Sequence, residues 1–104
     1  MANPWRGEVE VVLDGRPYRA RLTLGALAEL EQALGEPSLV ALVERFETRR
    51  FSGGDVLALL QAALAAGGNP VEADALHRAE FDGGPMAAAR AAAELLARAF
   101  TVPE

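Results

Sequence analysis

Apolar and polar positions alternate with a period of two over residues 8–22, "EVEVVLDGRPYRARL", and then change to a helical period that continues to residue 100. Strict alternation marks a half-buried strand, and Asp14-Gly15 is a strong two-residue turn because both residues tolerate the positive φ of a type I′ turn. The segment is expected to be a hairpin in which Val9 faces Ala20, Val11 faces Tyr18, Glu10 faces Arg19 and Glu8 faces Arg21. One face then carries Val9, Val11, Tyr18, Ala20 and Leu22. The other carries two opposite-charge pairs, each contributing roughly 0.2–1 kcal/mol. Pro17 cannot donate to a ladder and belongs at an edge or a strand start. A lone hairpin is marginal in water, so its apolar face must lie on helices or its edge must pair with another chain.

The helical part is punctuated by caps. Thr23 is placed to accept an orphan N–H of a first helix whose stripe is Leu27, Leu30 and Leu34, and Gly35 stops it. Ser38 starts a second helix with Leu39, Leu42, Val43 and Phe46 on its inner face. Ser52 and Asp55 have capping-box spacing. Over residues 56–66 the only polar side chain is Gln61, which predicts a central helix apolar all round and buried all round. Asn69 as cap with Pro70 at the first helical position predicts a fourth helix that ends near Gly83-Gly84. In the last, "PMAAARAAAELLARAF", Arg90, Glu94 and Arg98 form an outer stripe, and Ala88, Ala89, Ala92, Leu95, Leu96, Ala99 and Phe100 the inner face. The expected fold is α+β, mainly α. A single domain spans 1–104, with a β-hairpin at 8–22 and a helical layer at 23–100 of about five short helices around the central apolar one.

Composition narrows the function classes. The 104 residues carry a net charge of −5, and all ten basic residues are arginine. A nucleic-acid surface needs a basic excess, so nucleic acid is not the expected partner. The near-apolar run at 56–66 is too short for a bilayer, which needs roughly 20 residues. The start, "MANPWRGEVE", lacks the apolar segment of a secretory signal, and there is no cysteine for a disulfide, thiolate or zinc-thiolate site. Both features lead to the expectation of a cytoplasmic protein.

Candidate chemistry is sparse. His77 is the only histidine, with Asp74 and Glu80 as its helical neighbours, and is read as a surface or structural residue. Ser38 and Ser52 are explained by capping, and no G-x-S-x-G elbow or G-x-G phosphate loop occurs. The Gly-Gly pairs at 53–54, 67–68 and 83–84 fall at helix borders as backbone punctuation. No catalytic residue, cofactor site or metal site is expected. Four residues are candidates for partner binding: Trp5, Arg49, Arg50 and Phe51. Tryptophan is over-represented among binding anchors, although a cover over one end of the core is the favoured reading of Trp5. Arg45, Arg49 and Arg50 form a basic knot for an anion or an acidic partner, or simply a solvated turn. Phe51 also suits a hydrophobic staple ahead of Ser52.

Nearly the whole chain resembles a known family. The stretches "NPWRGEVEVVLDGRPYRARLTLGALAELEQALGEPSLVALVERFE", "FSGGDVLALLQAAL" and "GGPMAAARAAAELLARAF" are similar to a small tail-module protein of gene transfer agents, phage-like particles encoded in alphaproteobacterial genomes. That family is classed with phage tail assembly chaperones and is sometimes labelled tail tube protein. Its most specific stretches are "LTLGALAELE" and the Arg-Phe-Ser entry to "DVLALL". The resemblance implies a non-enzymatic protein of tail morphogenesis without cofactors, a chaperone whose partner is the tape measure protein or another tail protein. A structural tube or adaptor subunit, built through an unprotected hairpin edge, is one alternative. A small ligand-binding module using Trp5, His77 and the arginine knot is another. Assembly into a homo-oligomer is left open.

Overall fold

The structure is a computed structural model that describes residues 7–48 and 50–100. It is α+β: a two-stranded antiparallel ribbon, β1 (Val9–Leu13) and β2 (Arg16–Ala20), followed by five helices, α1 (Leu24–Leu34), α2 (Leu39–Glu47), α3 (Gly53–Ala66), α4 (Ala73–Arg78) and α5 (Gly84–Ala99). The register is the expected one, Val9 with Ala20, Glu10 with Arg19 and Val11 with Tyr18. Asp14 and Gly15 both take positive φ, 50° and 78°, as the turn requires. Val9, Val11, Leu13, Ala20 and Leu22 are buried. The ion pair seen on the ribbon runs diagonally, from Arg19 Nε to Glu8 Oε2 at 4.0 Å, instead of straight across from Glu8 to Arg21.

The ribbon edges are partly closed, which corrects the expectation of an unprotected edge. On the β1 side Asp14 N–H donates to Glu80 O (2.8 Å) and Asp82 N–H to Val12 O (3.1 Å), so Phe81 bridges to Leu13. Further along the same edge Arg98 Nη1 donates to Glu8 O at 2.8 Å. On the β2 side Arg21 N–H donates to Ala63 O (3.0 Å) and Asn69 Nδ2 to Arg19 O (3.0 Å), and Pro17 has no donor to offer. A strand arriving from another chain meets groups already in use at both edges.

The caps form as their side chains require. Thr23 Oγ1 accepts from Ala26 N–H and Ser38 Oγ from Ala41 N–H, each at 3.1 Å. At the end of α1, Glu36 N–H reaches Glu31 O and Gly35 N–H reaches Gln32 O, the paired bonds of a Schellman stop. The central helix is α3, which packs against α1, β2, α4 and α5. Leu59, Leu60, Ala63 and Leu64 are fully buried, whereas Leu57, Ala58 and Ala62 are half-buried and Ala65 is exposed. The helix is apolar all round but covered on one broad side only.

Two further expectations are corrected. Asn69 does not cap α4. Its N–H donates to Leu64 O (2.8 Å) at the end of α3, and its side-chain Nδ2 donates to Arg19 O (3.0 Å). With that cap committed elsewhere, α4 begins only at Ala73 and ends at Arg78, and residues 79–82 are free to run beside β1. Phe100 is not on the inner face of α5: it is 48 % exposed, past the last turn packed on the core.

Candidate functional site: an apolar groove and the clamp that shapes it

An open groove of about 600 Å³ lies between the start of α3, α4, the Phe81 segment and the start of α5. Phe51, Val56, Leu57, Leu76, Phe81 and Ala89 are among its apolar lining residues, and among the described residues His77 and Glu80 are its ionisable lining groups. Three sequence features build it. The capping box starts α3 abruptly, so Phe51 before the cap and Val56 one turn in face the same space, as a hydrophobic staple does. The brevity of α4 leaves one buried anchor, Leu76, and lets the chain return past Phe81. The alanines of α5 keep the far wall low. A second, smaller apolar groove of about 390 Å³ lies between α2 and α5, lined by Val43, Phe46, Leu96 and Phe100 among others. Phe46 and Phe51, one from each groove, stack with centroids 5.4 Å apart and planes 16° from parallel.

The start of α3, beside the groove, is held by a polar clamp that sequence reasoning missed. Arg45, the first arginine of the basic knot, turns inward. Its Nε and Nη2 grip both oxygens of Asp55 (2.9 and 3.0 Å), and its Nη1 donates to Glu36 Oε2 (2.8 Å) and to Leu34 O (3.0 Å). One guanidinium thus ties the end of α1, the body of α2 and the start of α3. It also satisfies an orphan carbonyl of α1. Asp55 is 5 % exposed, and its Oδ2 also accepts the Ser52 N–H at 3.0 Å while Ser52 Oγ accepts the Asp55 N–H at 3.1 Å. The signal was present in spacing: Arg45 lies three residues after Leu42 and just before Phe46, on the border of the buried face.

Burial pushes the Asp55 carboxyl up, but the Ser52 N–H and the Arg45 hydrogen bonds and charge outweigh it and hold the group below the usual aspartate value. The Glu36 and Asp55 hydrogen bonds raise Arg45 against a smaller desolvation effect. For a carboxylate lowered in the native state, the stabilisation is complete above the unfolded value of about 3.9. It is lost as the pH falls from there through the lower native value. Asp55→Ala is therefore expected to cost about 1–3 kcal/mol at neutral pH, since it leaves the Ser52 N–H and Arg45 short of an acceptor. Urea titrations should show the gap to wild type narrowing from roughly pH 4 downward; a gap that is constant with pH would show that the carboxylate charge is not the source.

Of the four residues proposed from sequence for partner binding, Trp5 and Arg49 lie outside the described residues. Phe51 is half-buried in the groove wall. Arg50 is exposed beside it, its N–H donating to Arg45 O at 3.2 Å. His77 is exposed at the groove mouth. Among the described residues no group of three or more His, Asp or Glu is placed to hold a metal ion, and no helix is long and apolar enough to cross a membrane.

Helices that shelter a small ribbon and leave an open apolar groove at the surface define a small, mainly helical α+β protein. The chain belongs to the family described as phage tail tube protein, GTA-gp10, whose sequence model matches residues 6–102. It is therefore a protein of phage-like tails of the gene transfer agent type, and its partners are the other proteins of a tail. Neither a curated protein nor a solved structure matches it.

Proposed function

We propose that the protein is a tail assembly chaperone that holds the tape measure protein until tube subunits polymerise around it. The observation that carries this reading is the open groove lined by Phe51, Leu57, Leu76 and Phe81, a shape suited to an amphipathic helix laid in from outside. Tape measure segments are expected to be helical and to carry apolar stripes that need such cover. The acid excess of the chain supports a holding role by keeping a chaperone soluble. The proposed site of action is the cytoplasm, where particles assemble.

The family's own description favours a second reading, a structural tube subunit. Two measurements separate them. The tagged protein should retain the tape measure protein of the same particle at micromolar concentration, and mature purified tails should lack it. Failure to retain a soluble tape measure protein would remove the chaperone reading, and stoichiometric copies in mature tails would establish the tube reading in its place.

A further inference from the structure

We propose that the occupant of the large groove is a cationic amphipathic helix, one that pairs an apolar stripe with flanking lysines or arginines. The inference rests on the reading that this groove receives a partner helix, and adds the chemistry that selects it. The groove floor is apolar, but the rim formed by the Phe81 segment is not neutral. Glu80 lines the groove and is exposed, and Asp82, on the other side of Phe81 in the chain, is exposed too. Asp14 adds to the same side, since its Oδ1 accepts the Glu80 N–H at 3.0 Å and fixes the hairpin turn against this segment. None of these carboxylates takes part in an ion pair found among the described residues. The carboxylates that do form ion pairs are elsewhere: Asp55 and Glu36 in the clamp on Arg45, Glu8 with Arg19 and Glu94 with Arg98.

This field determines the sign of what can dock. An apolar stripe laid on Leu57, Leu76 and Phe81 brings one border of its helix within a few ångströms of Glu80, which lines the same groove. That is well inside a screening length of about 8 Å at physiological salt. Acidic borders would be repelled there and basic ones attracted, so the rim both speeds encounter and rejects wrong partners. Phe51, with Arg50 next to it in the chain, also lines the groove, so the basic residues of the occupant belong along the Phe81 rim and not beside Arg50. A helix fits better than a strand, because the ribbon edges are engaged by Asp82 and Glu80 on one side and by Asn69 and Ala63 on the other. The low wall of small residues, Ala79, Ala88 and Ala89, lets a second helix backbone come close.

The test uses the full chain and overlapping 20-residue peptides tiled across the tape measure protein. The peptides retained should be those that join apolar residues at i, i+3 or i+4 and i+7 to lysine or arginine borders. Glu80→Lys/Asp82→Lys changes two exposed side chains whose main-chain bonds stay in place. It should weaken the retained peptides about tenfold or more. Raising the salt to about 1 M, where the screening length is about 3 Å, should weaken wild-type binding and leave the double variant little changed. Retention of neutral or acidic peptides, indifference to the charge reversal, or no retained peptide overturns the inference. A tape measure protein that binds through uncharged peptides sinks this inference alone, whereas one that is not retained at all removes the chaperone reading with it. Concentration-dependent dimerisation that masks the groove would also overturn it, with a second copy as the occupant.

Discussion

Leu60→Ala should destabilise the protein by about 2–5 kcal/mol, a large share of the roughly 5–15 kcal/mol typical of a domain. Leu60 is fully buried in the middle of α3, and its neighbours Leu59 and Leu64 are fully buried too. Because α3 is the element against which α1, β2, α4 and α5 pack, a cavity there is shared by several partners and cannot be closed by moving one of them. Thermal unfolding should shift by about 4–8 °C for each kcal/mol lost, with the urea m-value unchanged if the transition remains two-state. The same substitution at Leu57, half-buried in the groove wall, should cost distinctly less. Equal costs at the two sites would mean that α3 is not packed in one direction, and would contradict the fold described above.

The second large effect is expected from a single methyl group. Gly67 ends α3 with φ −80° and ψ 0°, an ordinary helical conformation open to any residue. What requires glycine is proximity: a Cβ at this position would lie 2.3 Å from Arg19 O and 2.9 Å from its carbonyl carbon. Those are backbone atoms of β2, which the Arg21 N–H to Ala63 O bond and the Asn69 bond to Arg19 O draw against the end of α3. Neither side can yield without breaking one of these bonds. Gly67→Ala should therefore cost about 1–3 kcal/mol or more, the range of an overpacked site. Gly53→Ala, at a helix start with open space around the added methyl, should by comparison be nearly neutral. Hydrogen exchange at Arg21 N–H would locate the damage, which should appear as faster exchange there in the Gly67 variant.

Gly67 also marks the boundary of what sequence pattern can convey. The pair Gly67-Gly68 was legible as a helix border, but the reason for the first glycine was not, since it depends on a strand that lies far away along the chain. The same division runs through the molecule. The hairpin register followed from alternation and the Asp14-Gly15 turn, because a slip by one residue would turn every apolar side chain outward. Thr23, Ser38 and Ser52 were legible as caps because capping is a transaction within one turn of helix. Asn69 looked like another cap on the same local grounds and proved otherwise, its side chain having a distant carbonyl to serve at Arg19. Phe81 reaching Leu13, and Arg45 reaching Leu34, Glu36 and Asp55, are likewise contacts between elements. Such contacts decide where a groove lies. Phe51 could therefore be singled out as unusual from the sequence, while Leu76 and Phe81, which share the groove with it, could not.

The clamp and the groove belong to one mechanical scheme. Arg45 fixes the start of α3 to α1 and α2, the Ser52–Asp55 box sets its first turn, and Phe51 is thereby held against Phe46 with its remaining surface in the groove. The apolar lining is presented by elements already bound to one another, so receiving a helix requires little rearrangement of this chain, which favours affinity by limiting the ordering that binding must produce.

The most direct test fills the groove and leaves the core alone. Ala89 is half-buried on α5 and lines the groove, so Ala89→Trp should occupy the space while circular dichroism and thermal unfolding stay close to wild type. With the groove filled, retention of the tape measure protein should be lost, whereas a tryptophan placed at exposed Ala28 on α1 should leave it intact. Undiminished retention by a folded Ala89→Trp protein would show that the partner is held elsewhere, and would contradict the account at its centre.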